Sequence, residues 1–323
     1  MGAGTIDPEN SPTPNTSSSL ITSAWLHDFL AQPVPATPWL IYPWLPSGGT
    51  VFFHGPTSVG KSPFTWKLAS CVSNGSPFFG WPVQQTGNVL YLEFDTPPNL
   101  IHQRLRALED KPERMFLVVL PKLNVTNPLS TDSRILEGLQ KNIAPVLVIV
   151  NTLRKAHSLD DRASDTPSIV YSAFRRYFPS ATLFFVHHDK KNGDPKVVNP
   201  DQAFSGSQHW ADDAQIALHI TRIKKGPEPE TVGSDDLEPA AHEKSRVQVK
   251  MTKSQVSDHE AFDPLLLQLS PDGSNWIQTG PEQYRTYFRT LPKELSRADR
   301  IKLVEAKFGI QKSASHQALK GLH

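Results

Sequence analysis

One short segment of the chain has the residue types and spacing of a phosphate-binding loop. It consists of Gly55, Pro56, Thr57, Ser58, Val59, Gly60, Lys61 and Ser62, which satisfy the pattern G-x-x-x-x-G-K-[ST]. In a loop of this kind backbone N–H groups surround the phosphates, the lysine supplies positive charge to the β and γ oxygens, and the serine hydroxyl ligates Mg²⁺. The sequence therefore predicts a site for a nucleoside triphosphate and Mg²⁺.

The elements that must position this loop are present on both sides of it. A strand-like run, Val51–His54, precedes the loop, and the segment after it has apolar residues at helical spacing, Phe64, Leu68 and Cys71. Pro63 is tolerated because the first turn of a helix has no intrahelical N–H bond to lose. This context favours a true phosphate loop over a chance glycine-rich turn.

Strand-like and helical patterns alternate through the middle of the chain. Strands are predicted at 50–54, 88–93, 115–120, 146–150 and 182–187, and helices at 61–72, 100–108, 130–141 and 167–177. Because helices separate the strands, we predict an α/β fold with a mostly parallel sheet covered on both faces. Three further strands, at 216–220, 247–251 and 265–269, have no helix between them and are expected to form an antiparallel edge.

Composition excludes several classes of protein. Lys and Arg number 33 against 32 Asp and Glu, so a net charge of +1 gives no argument from bulk charge for binding nucleic acid or membranes. A single cysteine excludes a disulfide framework. No apolar run approaches the roughly 18 residues that a membrane span needs. We expect a soluble, intracellular protein of the cytoplasm.

The ends of the chain differ from its middle. Residues 1–20 are polar and rich in Ser, Thr and Pro, which predicts a disordered leader. Residues 21–280 are predicted to hold a short amphipathic helix near 25–30 and then the core domain. Residues 281–323 are predicted to form a small basic helical module, since 282–323 contain nine Lys or Arg against four Asp or Glu. The chain thus divides into two unequal domains.

Motifs spread over about residues 37–270 resemble the RecA-like ATPases of the RepA-type replicative helicase group, which occur on plasmids, phages and integrated elements. The resemblance rests on residues 39–49, the phosphate loop, and the segments 75–80, 89–95, 146–157, 183–191 and 205–207. It implies a RecA-like P-loop core, ATP with Mg²⁺ as cofactors, single-stranded DNA as partner, a hexameric homo-oligomeric ring and contacts with other replication proteins.

The resemblance implies a catalytic carboxylate at the end of the strand that follows the phosphate-loop helix. Asp95 holds this place, with Glu93 two residues earlier on the same strand face. A base that polarises the attacking water has to lie near the γ-phosphate, and a strand end beside the loop does so. Asp95 is one methylene shorter than the usual Glu; the alternative is that it caps a helix starting near Pro97.

At the Walker B strand the chain departs from the family. The strand Val146–Val150 is followed by Asn151-Thr152, where the family has Asp and Thr. An amide can hydrogen-bond a water on Mg²⁺ but brings no negative charge to the cation. We therefore expect the metal to be held by Ser62, Asp95 and Asn151, the last acting indirectly. Either hydrolysis is weak or Asp95 serves both tasks.

The strand that ends in His187 and His188 resembles the family's sensor strand, and alternation lets one of the two face the site. We favour His188; the alternative is that both are ordinary strand-end residues. The loop that follows contains Lys190, Lys191 and Lys196, which the resemblance assigns to DNA. Its acidic residues cancel that charge, so it is only suggestive of strand binding.

Two further sets of basic residues are candidates for function. The family inserts a basic finger into the neighbouring subunit's site, and the candidates are Lys250, Lys253 and Arg222, with Thr252 where an arginine is expected; plain solvated bases are the alternative. In the C-terminal module, Ser296 is a candidate helix cap and Gly309 a turn between two helices. A helix-turn-helix there would present Lys312, Ser313, Ser315, His316 and Gln317 to DNA, and an unrelated helical hairpin is the alternative.

The resulting expectation is a DNA helicase or helicase-like motor that serves a mobile element and hydrolyses ATP slowly, with stimulation by single-stranded DNA. The alternative is a nucleotide-binding DNA adaptor or regulator with impaired hydrolysis. A small-molecule P-loop kinase is disfavoured because no segment resembles a lid domain.

Overall fold

A computed structural model describes residues 36–127, 131–189, 208–223, 246–256, 264–270, 276–278, 281–292 and 294–308, with residues 30, 262, 315, 316, 319 and 320. The chain divides into a unit of residues Met1–Thr37 and a unit of residues Pro38–His323. The predicted leader and almost all of the predicted helix near 25–30 lie outside the described residues. The division into leader, core and basic module stays a prediction.

The second unit is built on one large sheet. Its strands are β3 (Thr50–Gly55), β4 (Val89–Glu93), β5 (Met115–Val119), β6 (Leu147–Asn151), β7 (Thr182–His188), β8 (Ile216–Arg222), β9 (Arg246–Ser254), β10 (Leu265–Leu269) and β11 (Trp276–Gln278). They lie in the order β11-β10-β9-β8-β3-β7-β6-β4-β5. A separate small hairpin pairs β1 (Trp39–Ile41) with β2 (Leu45–Pro46).

Helices alternate with these strands. They are α1 (Lys61–Asn74), α2 (Pro98–Arg106), α3 (Thr131–Ile143), α4 (Thr166–Tyr177), the short α5 (His209–Asp212), α6 (Pro281–Thr290) and α7 (Arg297–Phe308). A 3₁₀ turn, Leu153–Lys155, follows β6. Strands β3 to β8 are parallel to one another, as crossover connections through helices require.

Two apolar cores cover the two faces of the sheet. On one face Phe53 and Val186 pack with Phe64 and Leu68 of α1. On the other face the strands pack against α3 and α4, and Trp210 lies there as well. Side chains therefore alternate along each strand between the α1 face and the opposite face. The mostly parallel sheet with helices on both sides confirms the predicted RecA-like α/β fold.

The three late strands pair with one another as predicted. Strands β8 and β9 are antiparallel, as are β9 and β10, and β11 extends this edge antiparallel to β10. Strand β8 is in addition parallel to β3, so it joins the antiparallel edge to the parallel part of the sheet. The hairpin β1–β2, strand β11 and helix α6 were not predicted.

The two C-terminal helices form a small core of their own. Phe288 of α6 packs with Ile301 and Val304 of α7 and with Leu319. The backbone N–H of Asp299 donates to Ser296 Oγ at 3.2 Å, which confirms Ser296 as the helix cap. Within the described residues, no helix is both long and apolar enough to span a bilayer.

Candidate nucleotide site

The phosphate loop connects the carboxyl end of β3 to the start of α1. Two of its residues have positive φ: Ser58 at 58° and Gly60 at 101°. Gly60 is the N-cap of α1 and makes no side-chain cap, so the first N–H groups of the helix are left for a ligand. Backbone N–H groups in this kind of turn, together with the helix dipole, form an anion-binding concavity.

Side chains from β8 and β11 hold the outer side of the loop. The indole Nε1 of Trp276 donates to the carbonyl of Gly60 at 2.9 Å, and Arg222 Nη2 donates to the carbonyl of Ser58 at 3.0 Å. A Cβ at residue 60 would lie 2.2 Å from Trp276 Cζ2, and a Cβ at Gly55 would lie 2.5 Å from the carbonyl oxygen of Ile220. The loop therefore fits closely against these strands.

Lys61 is buried at the start of α1. Its Nζ donates to the carbonyls of Gly55 at 2.7 Å and Pro56 at 2.8 Å, and lies 3.1 Å from Nδ1 of His188. Burial lowers the pKa of Lys61 from its ordinary value to about 8, against the opposing effect of Asp189 and Asp95. A phosphate oxygen that approached this ammonium would replace one of these acceptors.

His188 links this lysine to the carboxylate of Asp95. Because the ammonium of Lys61 can only donate, Nδ1 of His188 accepts, and the proton is assigned to Nε2. That Nε2 lies 3.5 Å from Asp95 Oδ2, at the limit of a hydrogen bond. Burial, and then the positive charge of Lys61, lower the pKa of His188, which is consistent with a neutral imidazole between the two charged groups.

Asp95 also forms an ion pair with Lys155. Its Oδ1 lies 2.5 Å from Nζ of Lys155, which follows β6 and also donates to the carbonyl of Phe94 at 3.2 Å. Burial by itself would raise the pKa of Asp95, but the hydrogen bond and charge of Lys155, with those of His188, outweigh it and lower the pKa. Asp95 is therefore a carboxylate held between two basic side chains, with 39% of its side chain exposed.

Glu93 and Asn151 lie deeper and touch each other. Asn151 Nδ2 donates to Glu93 Oε2 at 2.7 Å and lies 3.3 Å from Ser62 Oγ. Glu93 is completely buried, and its Oε1 accepts from the backbone N–H groups of Asp95 at 2.9 Å and Thr96 at 3.0 Å. A chain of contacts thus runs from the phosphate loop to a buried carboxylate.

These residues fit a magnesium–nucleotide complex. Mg²⁺ prefers oxygen ligands and keeps several waters, and the hydroxyl of Ser62 is at the start of α1, where the ion would meet the phosphates. Glu93 and Asp95 place carboxylates on the same face of the adjacent strand. Ser62 would hold the cation, and the carboxylates of Glu93 and Asp95 would supply negative charge near it.

A second group of polar residues lies on the opposite face of the same strand ends. Asp189 Oδ1 accepts from His54 Nδ1 at 2.9 Å, and Asp189 Oδ2 accepts from His219 Nε2 at 3.2 Å. The backbone N–H of Asp189 donates to the carbonyl of Gly55 at 3.1 Å. Burial by itself would raise the pKa of Asp189, but the hydrogen bonds from His219 and His54 hold it far below its usual range. Burial lowers the pKa of His54.

His54, Asp189 and His219 bring three potential metal ligands within 4.8 Å of one another. The two imidazoles, however, are stacked, with centroids 4.3 Å apart and planes at 11°. An imidazole ligates a metal through a lone pair in the plane of its ring, so two nearly parallel rings cannot both direct lone pairs at one ion. The geometry is that of a hydrogen-bonded triad, in which one carboxylate accepts from two histidines.

The other predicted residues are placed as follows. Arg222 contacts the phosphate loop of its own chain, Lys253 Nζ donates to the carbonyls of Ala211 and Asp212, and Lys250 is exposed on β9. Ser315 is buried, and its hydroxyl donates to Glu305 Oε1 at 2.5 Å. The remaining DNA candidates lie outside the described residues: Lys190, Lys191, Lys196, Lys312, Ser313 and Gln317. The finger and DNA roles stay predictions.

Sequence reasoning missed three groups that the structure places around the loop. Trp276 and Lys155 carried no motif signal, since each acts through a contact with a distant segment. His54, Asp189 and His219 did carry one: His54 is near the end of the phosphate-loop strand, and Asp189 and His219 belong to the strands on either side of it. Chemistry-bearing residues at neighbouring strand ends meet at one edge of a parallel sheet.

Comparison with known proteins identifies the family. The model of the family described as AAA domain matches residues 15–194, more than half of the chain. The matched segment contains β3 with the phosphate loop, Glu93, Asp95, Asn151 and His188.

Three solved structures resemble the chain. One is an ATPase domain (12% identity, 72% of this chain and 85% of that chain, TM-score 0.48). The second is the flagellar accessory protein FlaH from Methanocaldococcus jannaschii (11% identity, 73% of this chain and 91% of that chain, TM-score 0.45). The third is a KaiC-like protein from Pyrococcus horikoshii OT3 (13% identity, 75% of this chain and 94% of that chain, TM-score 0.46). Likeness at this level does not transfer a function.

Proposed function

The chain belongs to the AAA domain family, and from this premise we propose that it is a RecA-like P-loop ATPase of helicase type. It binds ATP with Mg²⁺, hydrolyses ATP slowly and is stimulated by single-stranded DNA. The observation that carries this proposal is the position of His188, whose ring lies between Lys61 and Asp95. A phosphate-contacting cation, a polar sensor and a carboxylate are the groups that ATP hydrolysis requires.

The chain's own residues divide the work in the following way. The loop N–H groups and Lys61 bind and orient the phosphates. Asp95, ionised because of Lys155 and His188, holds the attacking water through its partly exposed carboxylate. Mg²⁺, when bound, neutralises the phosphate charge that develops during transfer. His188 is on the strand that leads into residues 189–207, so it is suited to report the state of the phosphate to that segment.

The proposal extends to the assembly that the sequence resemblance implies. We expect a homo-oligomeric ring, a role in DNA replication of a plasmid or phage together with other replication proteins, and a cytoplasmic location. The helical C-terminal pair supports DNA binding through its exposed basic side chains, such as Lys302. These expectations come from resemblance and charge, and size analysis with a nucleotide analogue tests the ring directly: a strict monomer contradicts the motor.

The alternative is a hydrolysis-impaired nucleotide-binding adaptor. Two observations favour it: the amide Asn151 replaces a carboxylate at the Walker B position, and Asp95 is engaged by Lys155 at 2.5 Å. A base that is already paired with a cation and has a lowered pKa accepts a proton less readily.

The decisive measurement is the ATPase rate with and without single-stranded DNA, beside equilibrium ATP binding. We expect Lys61→Ala to abolish binding, and Asp95→Asn to retain it while lowering the rate by about 10² to 10⁴-fold. Asp110→Asn, the same change at an exposed position, serves as the control. If the wild type binds ATP but its rate equals that of Lys61→Ala, the adaptor function replaces the motor.

A further inference from the structure

The last residues of β4 and β6 carry a carboxylate and an amide in direct contact. The two strands are parallel neighbours, and Glu93 is the register partner of Asn151. Both side chains are on the α1 face, where the phosphate loop lies. Asn151 is 3% exposed and Glu93 is fully buried, so the contact at 2.7 Å is shielded from water.

Three hydrogen-bond donors among the described residues contact the Glu93 carboxylate. Two are the backbone N–H groups of Asp95 and Thr96, and the third is the Asn151 amide. An ionised carboxylate only accepts hydrogen bonds, on both of its oxygens, so these three donors are partners that suit it.

Asn151 connects the Glu93 carboxylate to the phosphate loop. Its amide nitrogen Nδ2 donates one hydrogen to Glu93 Oε2 and lies 3.3 Å from Ser62 Oγ. The amide orientation follows from its partner, because a carbonyl oxygen turned toward Glu93 would face another acceptor. Ser62, which we assign to Mg²⁺, is thus one side chain away from the carboxylate of Glu93.

We propose that Glu93 supplies the negative charge for the metal side of the nucleotide site that Asn151 lacks. The carboxylate is on β4 and the amide on β6, and together they form a carboxylate–amide pair behind Ser62. This inference rests on the proposed function, since it concerns the divalent cation that accompanies the nucleotide.

Asp95 is less suited to this task. Its Oδ1 is 2.5 Å from Lys155 Nζ, so part of its charge is neutralised by this lysine. Glu93 takes its three hydrogen bonds from neutral N–H groups, and its charge is not shared with a cation through them. Asp95 remains available for the attacking water, and Glu93 for the cation.

The test is an exchange of the two side chains. Three variants of the full chain are compared with the wild type: Glu93→Gln, Asn151→Asp, and the double variant with both changes. The readouts are the dissociation constant of a fluorescent ATP analogue, with Mg²⁺ and with EDTA, and the melting temperature. Glu137→Gln, on the exposed face of α3, is the matched control for a carboxylate-to-amide change.

The expected results differ for each variant. In Glu93→Gln, the factor by which Mg²⁺ strengthens binding of the nucleotide analogue should fall about tenfold, because the charge near the cation is gone. Asn151→Asp melts several degrees lower, because it replaces a donor 2.7 Å from Glu93 by a second buried carboxylate. The double variant recovers both the melting temperature and most of the Mg²⁺-dependent gain.

Two outcomes overturn the inference. One is an unchanged Mg²⁺-dependent gain in Glu93→Gln; the other is a double variant that is no better than the two single variants in either readout, which a double-mutant cycle quantifies. If Glu93→Gln is too unstable for binding, the double variant decides, because it contains the same substitution. A wild type that binds no nucleotide contradicts the proposed function instead, and the melting-temperature cycle still tests the pair.

Discussion

At the scale of single residues, the unusual feature is how many charged or ionisable groups this chain places at the carboxyl ends of neighbouring strands. On the α1 face these groups are Lys61, Glu93, Asp95 and His188, and on the opposite face they include Asp189. Each is buried or half-buried and has a specific partner. In such a setting a substitution acts through the partner it leaves behind, as much as through the group it removes.

Asp189 gives a test of this point through the pH dependence of stability. Its pKa is held far below the usual range by His219 and His54, so it stabilises the fold at all pH values above about 4, its unfolded pKa, and loses this contribution only below it. The pKa of His54 is lowered by burial, so the unfolded state takes up the proton first and stability falls as pH drops below about 6.5.

We therefore expect Asp189→Asn to lower the free energy of unfolding by about 3 kcal/mol at pH 7.5, because two buried histidines lose a charged acceptor. The difference in the free energy of unfolding between wild type and variant should persist down to about pH 5 and narrow below about pH 4. Urea unfolding at several pH values measures this difference. A gap that closes already between pH 7.5 and 6 contradicts this account.

At the scale of elements, the phosphate loop is held by strands that follow it far along the chain. Ser58 and Gly60, the two loop residues with positive φ, have their carbonyls bound by Arg222 of β8 and Trp276 of β11. Because a peptide unit is planar, contacts that hold these two carbonyls away from the site also hold the N–H groups of the same peptide units toward it. The loop is therefore preorganised by tertiary contacts rather than by its own sequence alone.

Trp276→Phe removes the indole N–H and keeps an aromatic ring at this position. We expect an affinity for ATP about five- to tenfold weaker, which corresponds to the free energy of one hydrogen bond to the partly buried carbonyl of Gly60. Isothermal titration with an ATP analogue measures it. Trp39→Phe, in the β1–β2 hairpin, is the control; equal affinities of wild type and Trp276→Phe would show that the contact does not organise the loop.

Two glycines that differ in backbone conformation and in surroundings give a second prediction at this scale. Gly60 has φ of 101° and its Cβ would lie 2.2 Å from the ring of Trp276, whereas a Cβ on Gly138, inside α3, meets nothing within 4 Å. Gly60→Ala should lower the melting temperature and weaken ATP binding. Gly138→Ala should raise stability by about 0.5–1 kcal/mol, because alanine is the better helix former. Thermal unfolding compares them, and equal effects would contradict the close packing of the loop.

At the scale of the whole molecule, the balance of charge hides an uneven distribution. The net charge is +1, yet residues 282–323 carry nine Lys or Arg against four acids. Part of this basic charge is structural. Arg300 is 6% exposed, donates to the carbonyl of Phe288 at 2.9 Å and lies 4.0 Å from the centre of its ring. Arg297 donates to the carbonyl of Leu319, so a count of charges overstates what the tail offers to DNA.

The two basic side chains Arg300 and Lys302 of α7 should therefore respond differently to substitution. Arg300→Gln should lower the melting temperature by several degrees, since a buried hydrogen bond and ring contact are lost. Lys302→Gln, with 74% of the side chain exposed in the wild type, should leave it unchanged and weaken binding to single-stranded DNA with a reduced salt dependence. Calorimetry and fluorescence anisotropy measure the two effects. DNA affinity that is insensitive to Lys302→Gln would remove this face of the module from the DNA interface.

Much of the molecule could be predicted because its signals are local. The phosphate loop is one continuous segment, and strands β3 to β7 and helices α1 to α4 lie within a few residues of their predicted bounds. Hydrophobic periodicity and glycine placement act over a few residues, so a single sequence carries them. Strand β11 was not predicted, because a strand of three residues is too short to show a periodic pattern.

The sequence by itself determined that this chain has a phosphate loop and predicted a site for a nucleoside triphosphate there, because that signal resides in one short segment between a strand and a helix. Only the tertiary structure decided which side chains complete the site. Glu93 behind Asn151, Trp276 on Gly60, and His54 with His219 on Asp189 are contacts between segments far apart in the chain. They exist because strand register and helix packing bring those side chains to one edge of the sheet, and neither register nor packing is written in any one segment.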